Sequence, residues 1–189
     1  MLIKYIAISV IISLAVITNL LNPNTKNITQ TNTNLLAIAS MDGDIGKVKG
    51  LINSGWNVDH LGFTTDTPLM WASEYGHFNI VCHLLKYNAN VNHRNKCGMT
   101  ALSVAAQWGH LKIAELLIDN GADVDNVSKN GNTPLMEAAK YNYLKIVRLL
   151  IDNNADVNIM NNKYETAEIL AFKWNSGATC RLLQKEGLE

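Results

Sequence analysis

The sequence predicts an all-α repeat solenoid, in which helix-turn-helix units stack side by side and short β-hairpin loops join them. Three observations predict it. The segments opening at Thr67, Thr100, Thr133 and Thr166 (TPLMWA, TALSVA, TPLMEA, TAEILA) start 33 residues apart, and one more step back lands on Asn34 (NLLAIA). In each period two positions hold only Gly or Asn, the residues that most readily take a positive φ. Around them apolar residues recur at spacings of three and four, the mark of a helix with one buried face. The units run about 34–61, 62–94, 95–127, 128–160 and 161–189.

The chain ahead of the units has a different character. From Tyr5 to Leu21 no residue is charged, and only Ser9, Ser13, Thr18 and Asn19 interrupt an apolar run. Residues 1–21 therefore read as either a secretory signal, with Ser13-Leu14-Ala15 as a small-x-small cleavage site, or a short membrane anchor. With Lys4 on the near side of the run, either reading puts the units outside the cytoplasm: exported, secreted or periplasmic, or membrane-anchored. Residues 22–33 (NPNTKNITQTNT) have almost no apolar surface and read as a polar linker.

Within a unit, Asn34, Thr67, Thr100, Thr133 and Thr166 each carry a side-chain oxygen able to cap the free N–H groups that open a helix. Pro68 and Pro134 follow at the first helical position, where a missing N–H costs nothing. Ala39, Ala72, Ala105, Ala138 and Ala171 mark a place where neighbouring helices come too close for a larger side chain. Gly43, Gly76, Gly109, Asn142 and Asn175 then turn the chain. The second helix buries Val48, Val81, Ala114, Val147 and Cys180, with Leu51, Leu84, Leu117, Leu150 and Leu183 three positions on. Gly55, Asn88, Gly121, Asn154 and Gly187 end it as left-handed caps. Stretches such as Asn95-Lys96-Cys97-Gly98 and Lys129-Asn130-Gly131-Asn132 lead into the next unit through tight turns. The last unit has Glu168 where the others have leucine and Gln184 where they have Ile or Leu, a polar finish for the open end of the stack.

Composition and spacing bear on chemistry as well. Sixteen basic side chains balance sixteen acidic ones, so the surplus of Lys and Arg that gripping phosphates demands is missing and nucleic acid is not an expected partner. Cys82, Cys97 and Cys180 have the spacing of neither a disulfide framework nor a zinc knuckle. His60 and His93 lie one period apart, but stacked helices sit about 8–10 Å from one another, too far for two nitrogens on one zinc. With no triad, phosphate loop or carboxylate pair in view, no catalytic residue, cofactor or metal site is expected.

The recurring residues resemble the ankyrin repeat. Its pattern of T-P-L-H-x-A-A, G-H, I-V, L-L and G-A-D-V-N is met best by residues 95–126, through Gly98, Thr100-Ala101-Leu102, Gly109-His110 and Gly121-Ala122-Asp123-Val124-Asp125. The resemblance spans residues 34–189. It departs at the His, replaced by Met70, Ser103, Met136 and Ile169, so the hydrogen bond that this His usually makes is expected to be missing. It departs again at the hairpin glycine, kept as Gly98 and Gly131 but replaced by Thr65 and Tyr164.

What the resemblance implies is a non-catalytic protein–protein interaction scaffold, itself a monomer. Its partner, a protein of unknown identity, would lie in the concave groove of hairpin tips and first-helix ends. A targeting or regulatory subunit of an enzyme complex is the alternative. Membrane contact is expected only through residues 1–21, if they are not cleaved. Carried onto this sequence, the groove column reads Asp42, Tyr75, Trp108, Tyr141, Trp174, which takes four of the thirteen aromatic residues. Such rings supply contact area at little entropic cost. Semi-buried filling between units is the other role open to them. Lys140 and Lys173 beside that column, with Arg94, Lys96 and Met99 near the tips, complete the expected partner-binding set, and Lys129, Lys163 and Glu165 also fall at or near the tips. Because Glu74, Gln107, Lys140 and Lys173 run from acidic to basic, the partner is expected to present an apolar or aromatic segment beside acidic groups.

The export expectation has a direct measurement in the intact mass and fractionation of the native protein. Secretion removes about the first 15 to 21 residues, and an anchor leaves full-length protein in the membrane fraction. Full-length protein that is soluble in the cytosol contradicts both.

Overall fold

Each threonine that opens a unit does cap a helix. In a computed structural model, which describes residues 34–61 and 65–186, Thr67, Thr100 and Thr133 accept the backbone N–H of Met70, Ser103 and Met136, each at 3.3 Å. Thr166 accepts that of Ile169 at 3.4 Å. Such a cap contributes about 1 kcal/mol. Asn34 corrects the expectation drawn from the column. Its backbone is helical, with φ −106° and ψ −3°, and its side chain makes no cap bond. The physical reason is the backbone: a capping oxygen reaches back from an extended residue, and the four threonines have ψ of 163°, 173°, 165° and 171°.

Ten helices form among the described residues, in five pairs, with no strand. They are α1 (Leu35–Asp42) and α2 (Ile45–Asn53), α3 (Pro68–Glu74) and α4 (Phe78–Lys86), α5 (Ala101–Trp108) and α6 (Leu111–Asp119). Then follow α7 (Pro134–Lys140) and α8 (Leu144–Asp152), α9 (Ala167–Lys173) and α10 (Gly177–Glu186). None exceeds ten residues, too short to be stable alone in water, so packing holds them. The first helices of the pairs pack on one another as one layer and the second helices form the other. The alanine column is at most 1% exposed from end to end of this interface. The apolar segment 1–21, the linker 22–33 and Gly187 lie outside the described residues, and among the described residues no helix is long and apolar enough to cross a membrane.

The two Gly/Asn columns have different causes. At Gly43, Gly76 and Gly109, φ is 79°, 76° and 81°. A Cβ added there would meet the ring of His77, His110 or Tyr143 from the following unit at 2.6, 2.6 and 2.5 Å. Those His rings are themselves tied back, Nε2 bonding to the carbonyls of Met41 (2.9 Å) and Glu74 (3.0 Å). One unit later the ring position is Ser176, and Asn142 replaces glycine at φ 61°. Its amide oxygen accepts from Thr179 at 2.9 Å. At Gly55 and Gly121, by contrast, a Cβ would meet nothing within 4 Å. Only the sign of φ matters there, so Asn88 and Asn154 serve equally at 61° and 63°.

Each loop between the later units closes on two backbone bonds: Asn95 N–H to Met99 C=O, Ser128 to Asn132 and Asn161 to Glu165 at 2.9–3.0 Å, with Gly98, Gly131 and Tyr164 N–H returning to the carbonyls of Asn95, Ser128 and Asn161 at 2.8–2.9 Å. The side-chain oxygen of Asn95 accepts from Cys97 and Met99 N–H at 2.9 and 3.0 Å, so the turn is built on an Asx residue and only its glycine has positive φ. The hydrogen bond expected to be lost with the His is offset at Ser103 alone, since Met70, Met136 and Ile169 carry no donor side chain. Standing for the missing His, the Ser103 hydroxyl accepts from Asn126 Nδ2 at 3.3 Å and joins a reciprocal cap with Thr100.

The closing face is polar where expected, Gln184 donating to Glu168 at 3.0 Å. It is also partly apolar. Phe172, 78% exposed, occupies a column that holds fully buried Ser40, Ser73, Ala106 and Ala139 in the preceding units. Tyr164, 82% exposed at φ 59°, stands in the column of Gly131, where a Cβ would meet the next loop's backbone at 2.5 Å.

The glycine columns yield a graded series for chemical denaturation. Gly121→Asn is expected within about 0.5 kcal/mol of wild type, and Gly121→Ala about 1–2 kcal/mol less stable from φ alone. Gly131→Ala, which adds a backbone collision, is expected to cost about 2–5 kcal/mol. Equal losses at Gly121 and Gly131 would refute the close-approach argument.

Candidate functional site

The groove-facing columns arise from helix geometry. Position 174 follows 170 by one turn, so both lie on one side of the last first-layer helix, with 173 beside them. Trp174, Tyr141 and Tyr75 are the C-terminal cap residues of α9, α7 and α3, and Trp108 ends α5, so all four rings stand at the same end of that layer.

Their surroundings differ. Tyr75 is half-buried, its ring 6.2 Å from that of Trp71 and stacked at 6.3 Å on that of His77. Trp108 is half-buried against the core, as is Met99. Tyr141 and Trp174 are 41% and 58% exposed. The Lys140 ammonium lies 5.0 Å from the Tyr141 ring centre and 5.4 Å from that of Trp174, joining rings of two successive units by cation–π attraction. Near the tips, Arg94 donates to the Val127 carbonyl and the Lys96 backbone N–H to Thr65 Oγ1 (2.7 Å), so both tie neighbouring loops together.

Of the expected set, Lys140, Lys173 and Trp174 come together in one pocket of about 670 Å³ between α7, α9 and their preceding loops. Tyr141 adjoins it through Lys140, whereas Tyr75, Trp108, Arg94, Lys96 and Met99 do not line it. Lys163 and Glu165, expected at or near the tips, line it as well, and the lining residues that the sequence reading left out are Leu170 and four asparagines, Asn130, Asn132, Asn161 and Asn162. Leu170 had a usable signal, since it precedes Trp174 by one turn as Trp71 precedes Tyr75.

An amide chain underlies the pocket. Asn161 Nδ2 donates to Glu165 (3.1 Å) and to Asn132 Oδ1 (3.0 Å), and Asn132 Nδ2 donates to Glu137 (2.8 Å). Glu137 and Glu165 are both 8% exposed. The second oxygen of Glu137 has no hydrogen-bond partner. Lys173 bonds to Glu165 from the groove side. The Lys173 hydrogen bond, helped by Asn161, holds the Glu165 carboxyl below its ordinary value, against the opposing pull of burial.

A two-layer stack of helix pairs, with one edge lined by aromatic and basic side chains, defines a helical-repeat scaffold. The family model for ankyrin repeats (three copies) matches residues 5–95, 85–161 and 125–189, and the chain belongs to the ankyrin-repeat family. No curated protein matches the chain. Ankyrin repeats generally mediate protein–protein interaction and are typically non-catalytic.

Because the folded pKa of Glu165 lies below its ordinary 4.5, the native state binds this proton less tightly than the unfolded chain. Its contribution to stability is complete above that ordinary value and fades as pH falls through the lowered one. Thermal melts should show wild type above Glu165→Gln at neutral pH, with the gap closing under acid. A gap that does not change with pH removes the ion pair from the account.

Proposed function

We propose that the chain is a non-catalytic scaffold that holds a partner protein in the groove of hairpin tips and first-helix ends. We propose further that residues 1–21 export it or tether it with the repeats outside the cytoplasm. Family membership supports the first part, and the uncharged run Tyr5–Leu21 behind Lys4 supports the second.

The observation that carries the binding reading is the cluster of Tyr141, Lys140 and Trp174 beside an open pocket of about 670 Å³. Two large rings at 41% and 58% exposure leave apolar surface in water at about 25 cal/mol per Å², surface that a partner can cover. Aromatic side chains at a recess are also the common hot spots of interfaces.

The experiment is partner capture by the Trp108→Ala/Trp174→Ala chain, with Trp174→Ala alone as the variant least able to disturb the core. Each groove substitution is expected to weaken capture by about 2 kcal/mol, or roughly 30-fold. Undiminished capture by both variants, with unchanged far-UV dichroism, defeats the groove reading.

A further inference from the structure

Resting on the groove reading, we infer that the pocket between the fourth and fifth units takes an acidic, extended peptide segment. Its carboxylates lie among Lys140, Lys163 and Lys173, and a neighbouring apolar side chain lies on the Trp174 ring.

The sign of the charge comes first. Three lysines line the pocket against one carboxylate, Glu165, whose charge is already met by Lys173 and Asn161. In the pocket the salt bridge is Lys173–Glu165; Lys163 adds only a weaker pull on that carboxylate, and Lys140 faces two rings rather than a carboxylate. In a chain of sixteen basic and sixteen acidic residues this local excess is a matter of placement. It is also confined to one end, because the column of Lys140 and Lys173 holds Glu74 and Gln107 in the earlier units.

Placement also prepares the lysine. The Lys140 ammonium rests on two aromatic rings, an attraction of about 0.5–1 kcal/mol at exposed sites. Set against about 1.5–2 kcal/mol of lysine rotamer freedom, that biases the ammonium toward the pocket and leaves its positive charge uncompensated, so an arriving carboxylate has less entropy to remove. The Trp174 face beyond it, 58% exposed, suits an apolar side chain next to that carboxylate.

The remaining lining distinguishes a peptide from other anions. The Asn130 side chain makes no hydrogen bond among the described residues, and it offers both a donor and an acceptor at the pocket edge, as a peptide backbone requires. Nucleic acid and anionic lipid surfaces instead call for a broad basic face, and a recess walled by asparagines and a glutamate is not one.

The test pans a random peptide library against the full chain. Selected peptides are then synthesised for titration against wild type, Lys140→Gln/Lys163→Gln and Trp174→Ala, each variant checked by far-UV dichroism. The expected result is enrichment of Asp and Glu beside an apolar residue, with affinity that falls about tenfold in the double lysine variant, falls with salt, and falls in Trp174→Ala. Neutral or basic peptides that lose affinity in Trp174→Ala overturn the acidic inference and leave the groove reading standing. Peptides that bind both variants as tightly as wild type overturn the two together. Recovery of no peptide also overturns the inference. Binding of a single-stranded oligonucleotide or of phosphatidylserine vesicles without any peptide would replace it with a phosphate ligand.

Discussion

The whole stack depends on how closely one unit lies on the next. At Gly43, Gly76 and Gly109 there is no room for a single methyl group, because the His or Tyr ring that opens the next outer helix lies against the backbone. The same tightness recurs at Gly131, this time between successive loops, and in the alanine column between first-layer helices. Helices of seven to ten residues have no stability of their own to lose, so this inter-unit contact keeps them folded. A fixed spacing inside the helix pairs follows from it, since an insertion there would slide that unit's ring off the glycine it packs against.

The groove inherits that rigidity. Stacking at constant register lines up corresponding residues, which brings Lys140 within 5.4 Å of the Trp174 ring although the two belong to different units. The same register lets Asn161 reach back to Asn132 and so link the carboxylates of successive units. The pocket walls are therefore held by the contacts that hold the fold. A partner that docked in such a groove would meet side chains already in place, a condition that lowers the entropic cost of association.

The end of the stack shows how column identity tracks the neighbour. Where a following unit covers a position, the column is glycine or a small residue; where none covers it among the described residues, Tyr164 and Phe172 appear. Asn142 follows the same logic from the other side, since the residue facing it is the small Ser176. Polarity at Glu168 and Gln184 and bulk at Tyr164 and Phe172 thus act together at this face.

The sequence by itself determined the period, the threonine caps, the turns at positive φ, the buried apolar columns and the family. Each of these is written within a few residues of chain, where capping, φ preference and helical spacing are local physics. It placed the aromatic column at the first-helix ends and favoured its two tryptophans over its two tyrosines, a ranking that exposure does not follow. Only the tertiary structure decided that Tyr75 and Trp108 are half-buried while Tyr141 and Trp174 are exposed, that Asn34 does not cap, and that Ser103 makes a hydrogen bond at the position of the missing His. It alone gathered Lys140, Lys163 and Lys173 around one pocket. Those outcomes turn on what a side chain meets across the interface, roughly one period away along the chain, and burial and charge pairing at that range depend on how the units pack.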